Sequence, residues 1–192
     1  MRIALLMLPA SLLGCMGMYG EGSRVENKPD ASQPLKEIKL RVGIFASQTV
    51  REYHYNFSNI RVDLGSMLMS DVEGQFRRVF DQVTSVYKFP PSATEAEHID
   101  VVIVIENPEF VWADKGGGEY EASFKVSFCV CTVSGARVDP DTEQSACKVI
   151  MRSMSPTANE TSAREGTTAV IKATVHQFLL KAPGIMNKRY DK

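Results

Sequence analysis

Thiols are the most reactive side chains of this 192-residue chain, which carries four of them, at Cys15, Cys129, Cys131 and Cys147. A thiol accepts acyl chains, pairs into disulfides or ligates soft metals, and spacing decides among these. Cys129 and Cys131 stand two apart in an alternating segment, so on a strand they share a face but are too far apart to bond each other. A hairpin centred near Asp139 would set Cys131 opposite Cys147. Parity opposes that pairing. Cys129 and Cys131 alternate away from Phe124 and Phe128, whereas Cys147 keeps step with Val149 and Met151. A Cys131–Cys147 bridge therefore needs a bulge to bring Cys147 round. The favoured role for these cysteines is as small buried hydrophobes, with the bridge as the alternative. A Cys-x-Cys metal site would need further ligands, and His54, His98 and His176 fall in different elements with no motif around them.

Other reactive patterns are sparse. The chain has no Gly-x-Ser-x-Gly elbow, no His-Glu-x-x-His and no Walker loop. Gly116-Gly117-Gly118 could cradle an anion, but without a following amphipathic helix it reads as a hairpin tip. Asp139-Pro140-Asp141-Thr142-Glu143 lacks the glycine and distal glutamate of a calcium loop and reads as a solvated turn. Asn56-Phe57-Ser58 and Asn159-Glu160-Thr161 match glycosylation sequons, which matter only if the chain follows a route that glycosylates. No catalytic residue, metal ligand or cofactor is assigned, and the chain reads as non-enzymatic. The patch that invites a binding role is Tyr53, Tyr55 and Phe57, alternating with His54, Asn56 and Ser58. Extended, it presents rings on one side and hydrogen-bonding groups on the other, suited to a sugar, a peptide or a protein edge. The alternative is that the rings pack under the first helix.

The elements that would position these groups follow from periodicity. Ile38, Leu40, Val42 and Ile44 alternate with Lys39, Arg41 and Gly43, a half-buried strand. Leu64, Leu68, Val72, Phe76, Val79, Phe80 and Val83 recur every three or four residues, one face of a helix that Asp63 can cap. Ile99 to Ile105 reads as a strand buried on both sides, and Asn107-Pro108 punctuates it, with extension of the edge by Phe110 to Trp112 as the alternative. Tyr120 to Val130 alternates as the clearest strand, and Cys147 to Met154 is the fourth. A last helix spans about Ser162 to Ala182, and Pro183-Gly184 stops it. This order predicts an α+β fold, β-α-β-β-β-α, with a four-stranded mixed sheet and two helices on one face.

The amino terminus has the anatomy of a secretory signal: Arg2, then a short apolar run from Ile3 to Leu13, then the small Gly14 before Cys15. The run is too short to span a bilayer, which takes about 20 apolar residues. Leu12-Leu13-Gly14-Cys15 resembles the lipobox of bacterial lipoproteins; the alternative is an ordinary signal that contains a cysteine. The resemblance implies cleavage before Cys15, lipidation of its thiol and acylation of the new amine, with two or more chains giving stable anchoring. Met16 in place of aspartate implies the outer membrane, with the protein facing the periplasm. The organisation expected is a signal over 1–14, a lipidated cysteine and flexible tether over 15–34, and one domain over 35–192. The net charge of −1 argues against a nucleic-acid partner.

The whole arrangement resembles small outer-membrane lipoproteins: the lipopolysaccharide-transport lipoprotein, YajG-like and polysaccharide-export lipoproteins, and relatives of the TolB amino-terminal domain. That resemblance implies non-enzymatic support of an envelope machine through protein partners, and it transfers no functional residue beyond Cys15. The alternative is a module that binds glycan or lipid directly.

Overall fold

The alternation at Ile38 to Ile44 becomes a strand of the main sheet with a parallel neighbour on each side. The computed structural model describes residues 24–26, 35, 37–57, 60–138, 143–152 and 158–187. In chain order they form β1 (Arg24–Glu26), β2 (Ile38–Ala46), α1 (Gln48–Arg51), β3 (His54–Phe57), β4 (Ile60–Asp63) and α2 (Leu64–Phe76). There follow β5 (Phe80–Val86), α3 (Ala93–Ala96), β6 (Val101–Gly116), β7 (Glu119–Cys131), β8 (Glu143–Arg152) and α4 (Ala158–Asn187). The main sheet has six strands in the order β1-β8-β7-β6-β2-β5, and β3 and β4 pair separately. β2 runs parallel to both β5 and β6, and the pairs from β6 through β7 and β8 to β1 are antiparallel.

The α+β class and the shared face of α2 and α4 agree with the expectation. The four-stranded count does not. β1 adds an edge strand within the stretch read as a tether, and β5 takes the end of the expected first helix, from Phe80 to Val83. Phe80 and Val83 do fall at helical spacing from Phe76, so the periodicity ran on past the true end. The helix closes in a tight turn instead, with Arg78 N–H donating to Gln75 C=O at 3.1 Å and Val79 N–H to Phe76 C=O at 2.9 Å. The β-branched Val83, Thr84 and Val86 then suit a pleated surface.

Asn107-Pro108 does not end β6. The register passes from Glu106↔Ser127 to Glu109↔Lys125, so two residues of β6 oppose Val126 alone. That is a β-bulge; Asn107 takes φ 51, which asparagine tolerates, and Pro108 has no N–H to leave unpaired. Nor does Pro183 stop α4, which continues to Asn187. Proline withholds one N–H from the helix ladder, but Ile185 and Met186 are buried in the core and hold the last turn on the sheet.

The helix-bearing face is a thick core. Phe128 of β7 stacks on Phe178 of α4 with centroids 4.3 Å apart, and Phe76 of α2 stacks on Phe178 at 5.8 Å. The opposite face carries a smaller cluster of Val86, Ile99, Val102, Val104, Cys129 and Cys131, with Phe89 and Val133 packed against it. Arg41 ties α3 and its loop to β2: its guanidinium donates to Asp100 at 2.9 Å and to the Glu97 carbonyl at 3.2 Å. No helix among the described residues is long and apolar enough to cross a membrane.

Candidate functional site

The segment after β2 places the rings of Tyr53 and Tyr55 against the core. Ser47 caps α1 by accepting from Val50 N–H at 3.3 Å, and one turn later the chain enters the β3–β4 hairpin. The Tyr53 hydroxyl accepts from Phe110 N–H at 3.0 Å, just past the bulge of β6. Tyr55 meets the Phe110 ring edge-on with centroids 4.9 Å apart. Both tyrosines are half-buried against the main core. Phe57 sits at the far end of the hairpin, paired with Ile60. His54 and Asn56 are exposed, as the alternation implies. The hairpin is locked to α2 through Gly65, whose N–H donates to the Tyr53 carbonyl at 2.7 Å. A Cβ at Gly65 would collide with the Arg51 carbonyl, so only glycine lets α2 start here. Asp63 caps α2 as expected, accepting from Ser66 N–H at 3.2 Å.

Tyr53 also lines a cleft of about 570 Å³ at the carboxyl end of β2, together with Phe45, Ser47, Thr49, Glu106 and Asn107. β5 and β6 flank β2 on its two sides, so the cleft opens at a topological switch point, where open α/β sheets receive ligands. Its lining offers two aromatic rings, hydroxyls, an amide and a carboxylate, groups that can bind and orient a polar ligand. Glu106 also faces the Arg137 guanidinium at 3.9 Å. Ser47 and Thr49 belong to α1 and its cap and Glu106 and Asn107 to β6, far apart in sequence, and reading the chain for motifs missed them. The one available signal was Asn107-Pro108, which reads as punctuation and is instead a bulge at the rim.

The cysteine geometry settles the bridge. β7 and β8 pair with Phe124 opposite Cys147 and Phe128 opposite Glu143, which centres the hairpin near Gly135 and not Asp139. Gly135, at φ 94, supplies the turn conformation that moves the centre. Cys131 thus lies seven positions along the strand from the partner of Cys147, on the other face, and a Cys131–Cys147 disulfide is excluded. Cys129 and Cys131 are free and buried, their sulfurs 3.5 Å apart. Burial, reinforced by the hydrogen bond and charge of Cys129, pushes the Cys131 thiol up to about 12, so it stays protonated and unreactive at neutral pH. His54, His98 and His176 stand apart on β3, after α3 and on α4. Cys15, the signal before it and Asp139 to Thr142 lie outside the described residues.

The fold that carries these features is an α+β sheet with α2 and α4 against one face, and it has counterparts among solved bacterial proteins. Uncharacterized lipoprotein B from Nitrosomonas europaea superposes with a TM-score of 0.52 at 15% identity, over 83% of this chain and 92% of its own. A minor lipoprotein from Acinetobacter baumannii gives 0.44 at 13% identity, over 76% and 91%. A PelC dodecamer from Paraburkholderia phytofirmans gives 0.40 at 17%, over 83% and 94%. At 15% identity the likeness to the Nitrosomonas protein is one of fold alone. No family model matches the chain, and no curated protein matches its sequence.

Proposed function

We propose that this protein is a lipid-anchored, periplasm-facing component of the bacterial outer membrane that supports assembly or transport of an envelope component through protein contacts, without catalysing a reaction. The observation that carries the reading is Leu12-Leu13-Gly14-Cys15 closing a short apolar run. The likeness of fold to a Nitrosomonas lipoprotein supports it. Among the kinds of machine such lipoproteins serve, lipopolysaccharide or polysaccharide export is the class that the architecture resembles. Crosslinking in intact cells, followed by capture and mass spectrometry, tests the role. A resident envelope protein crosslinked to defined surface positions of this chain is the expected result. Absence of any crosslinked protein partner under conditions that preserve the anchor would overturn it.

The cleft favours a second reading, direct binding of a glycan or lipid. Its rings can stack on a sugar face while Thr49, Glu106 and Asn107 take up hydroxyls. Saturable binding of purified envelope glycans, lost in Glu106→Ala, would select this reading over the first.

A further inference from the structure

Cys129 and Cys131 stand on the sheet face away from α2 and α4, in the smaller cluster with Val86, Ile99, Val102 and Val104. Each is 3% exposed, and their sulfurs lie 3.5 Å apart. Residues two apart on a strand are separated by about 6.7 Å, so the two side chains lean together across that gap. Their surroundings are apolar, and among the described residues no third histidine, cysteine, aspartate or glutamate completes a metal-holding group. Zinc, which takes four ligands, does not fit a pair of thiols. A soft ion with a filled d shell and a single positive charge does, because it favours sulfur and is satisfied by two ligands in line.

We propose that Cys129 and Cys131 form a two-coordinate site for a soft monovalent metal ion of the class of cuprous copper. The ion enters between the sulfurs; two metal–sulfur bonds form, both S–H bonds break and two protons leave to solvent. No electron is transferred. A bond of about 2.3 Å to each sulfur asks for sulfurs about 4.6 Å apart, an opening of about 1 Å that relaxes their inward lean. A disulfide would demand the reverse, closing the sulfurs to about 2.0 Å on a strand that holds their backbones apart. Without the ion, burial keeps the Cys131 thiol protonated, whereas a bound cation displaces the proton outright. The loaded pair carries one net negative charge. Arg137, whose charge already acts on Cys131 and whose backbone bridges to it, offsets that charge. Glu106 opposes, but it faces the Arg137 guanidinium at 3.9 Å. Phe89 and Val133 pack on the cluster from connecting segments and are only half-buried, and the ion enters from their side.

The full-length chain, purified in detergent and kept oxygen-free with a reductant that is not a thiol, is titrated with cuprous copper against a colorimetric chelator of that ion. One ion per chain is expected. Cys129→Ala and Cys131→Ala should each weaken binding by more than about 100-fold, beyond what loss of an outer-shell partner costs. Cys15→Ser/Cys147→Ala, which keeps only the proposed pair, should bind as wild type does. Unchanged thermal unfolding of each variant confirms that it is folded. X-ray absorption by the loaded wild type gives a readout free of substitution: two sulfur neighbours and no nitrogen or oxygen. Copper left wholly on the chelator by the wild type, or a third ligand in the absorption spectrum, would overturn the proposal. So would undiminished binding in Cys129→Ala or Cys131→Ala, or its loss from folded Cys15→Ser/Cys147→Ala.

Discussion

Tyr53 and Tyr55 on one side, and Tyr87 on the other, are aromatic rings of the same chemistry with opposite fates. The first two flank the start of the β3–β4 hairpin and pack on the core, with Tyr53 bonded to the backbone of β6 and Tyr55 against Phe110. Tyr87 stands clear of the core, with the Arg51 guanidinium 5.0 Å from its ring centroid. In sequence the alternating rings read either as a binding patch or as rings packed under the first helix, and Tyr53 and Tyr55 do pack on the core. Alternation marks a strand with one packed side, and the rings of such a strand turn toward whatever lies beneath them. Tyr87 follows an edge strand, so most of its surface meets solvent and its ring neighbour is the Arg51 guanidinium.

Substitutions that separate packed from exposed rings sharpen this contrast. Phe128, 1% exposed and stacked on Phe178, sets the scale: Phe128→Ala should cost about 3–5 kcal/mol in a denaturant titration. Tyr55→Ala, removing a half-buried ring, should cost about 2 kcal/mol by the same measurement. A Tyr55→Ala protein as stable as wild type would break the contrast and return the hairpin rings to the surface. Tyr53→Phe keeps the ring and removes only the acceptor of Phe110 N–H, for a loss of about 1 kcal/mol. Tyr87→Ala, at an exposed ring, should change stability by less than about 0.5 kcal/mol. A larger loss there would show that Tyr87 is structural after all.

What could be read in advance was whatever depends on neighbours in sequence. The alternation of Ile38 to Ile44, the cap at Asp63, the hairpin tip at Gly116 to Gly118 and the inward face of Phe124 and Phe128 are all local patterns, and each is realised. β5 was hidden because Phe80 and Val83 satisfy a helical period and a strand equally well, and only the turn at Arg77 to Val79 decides between them. The pairing of Cys147 was hidden because one turn conformation at Gly135 shifts the whole register of β7 on β8. The cleft was hidden for a different reason. Its lining comes from the ends of β2, from α1 and from the bulge of β6, which adjoin only once β2 and β6 lie parallel.

The proposal that lipid on Cys15 holds this protein at the membrane, where it acts through its surfaces, stands or falls on the anchor. Metabolic labelling with fatty acid, read together with membrane fractionation of the full-length wild type and Cys15→Ser, tests it most directly. The wild type should incorporate label and sediment with membranes, and Cys15→Ser should lose the label and release the protein from the membrane fraction. Label and membrane association unchanged in Cys15→Ser would contradict the claim.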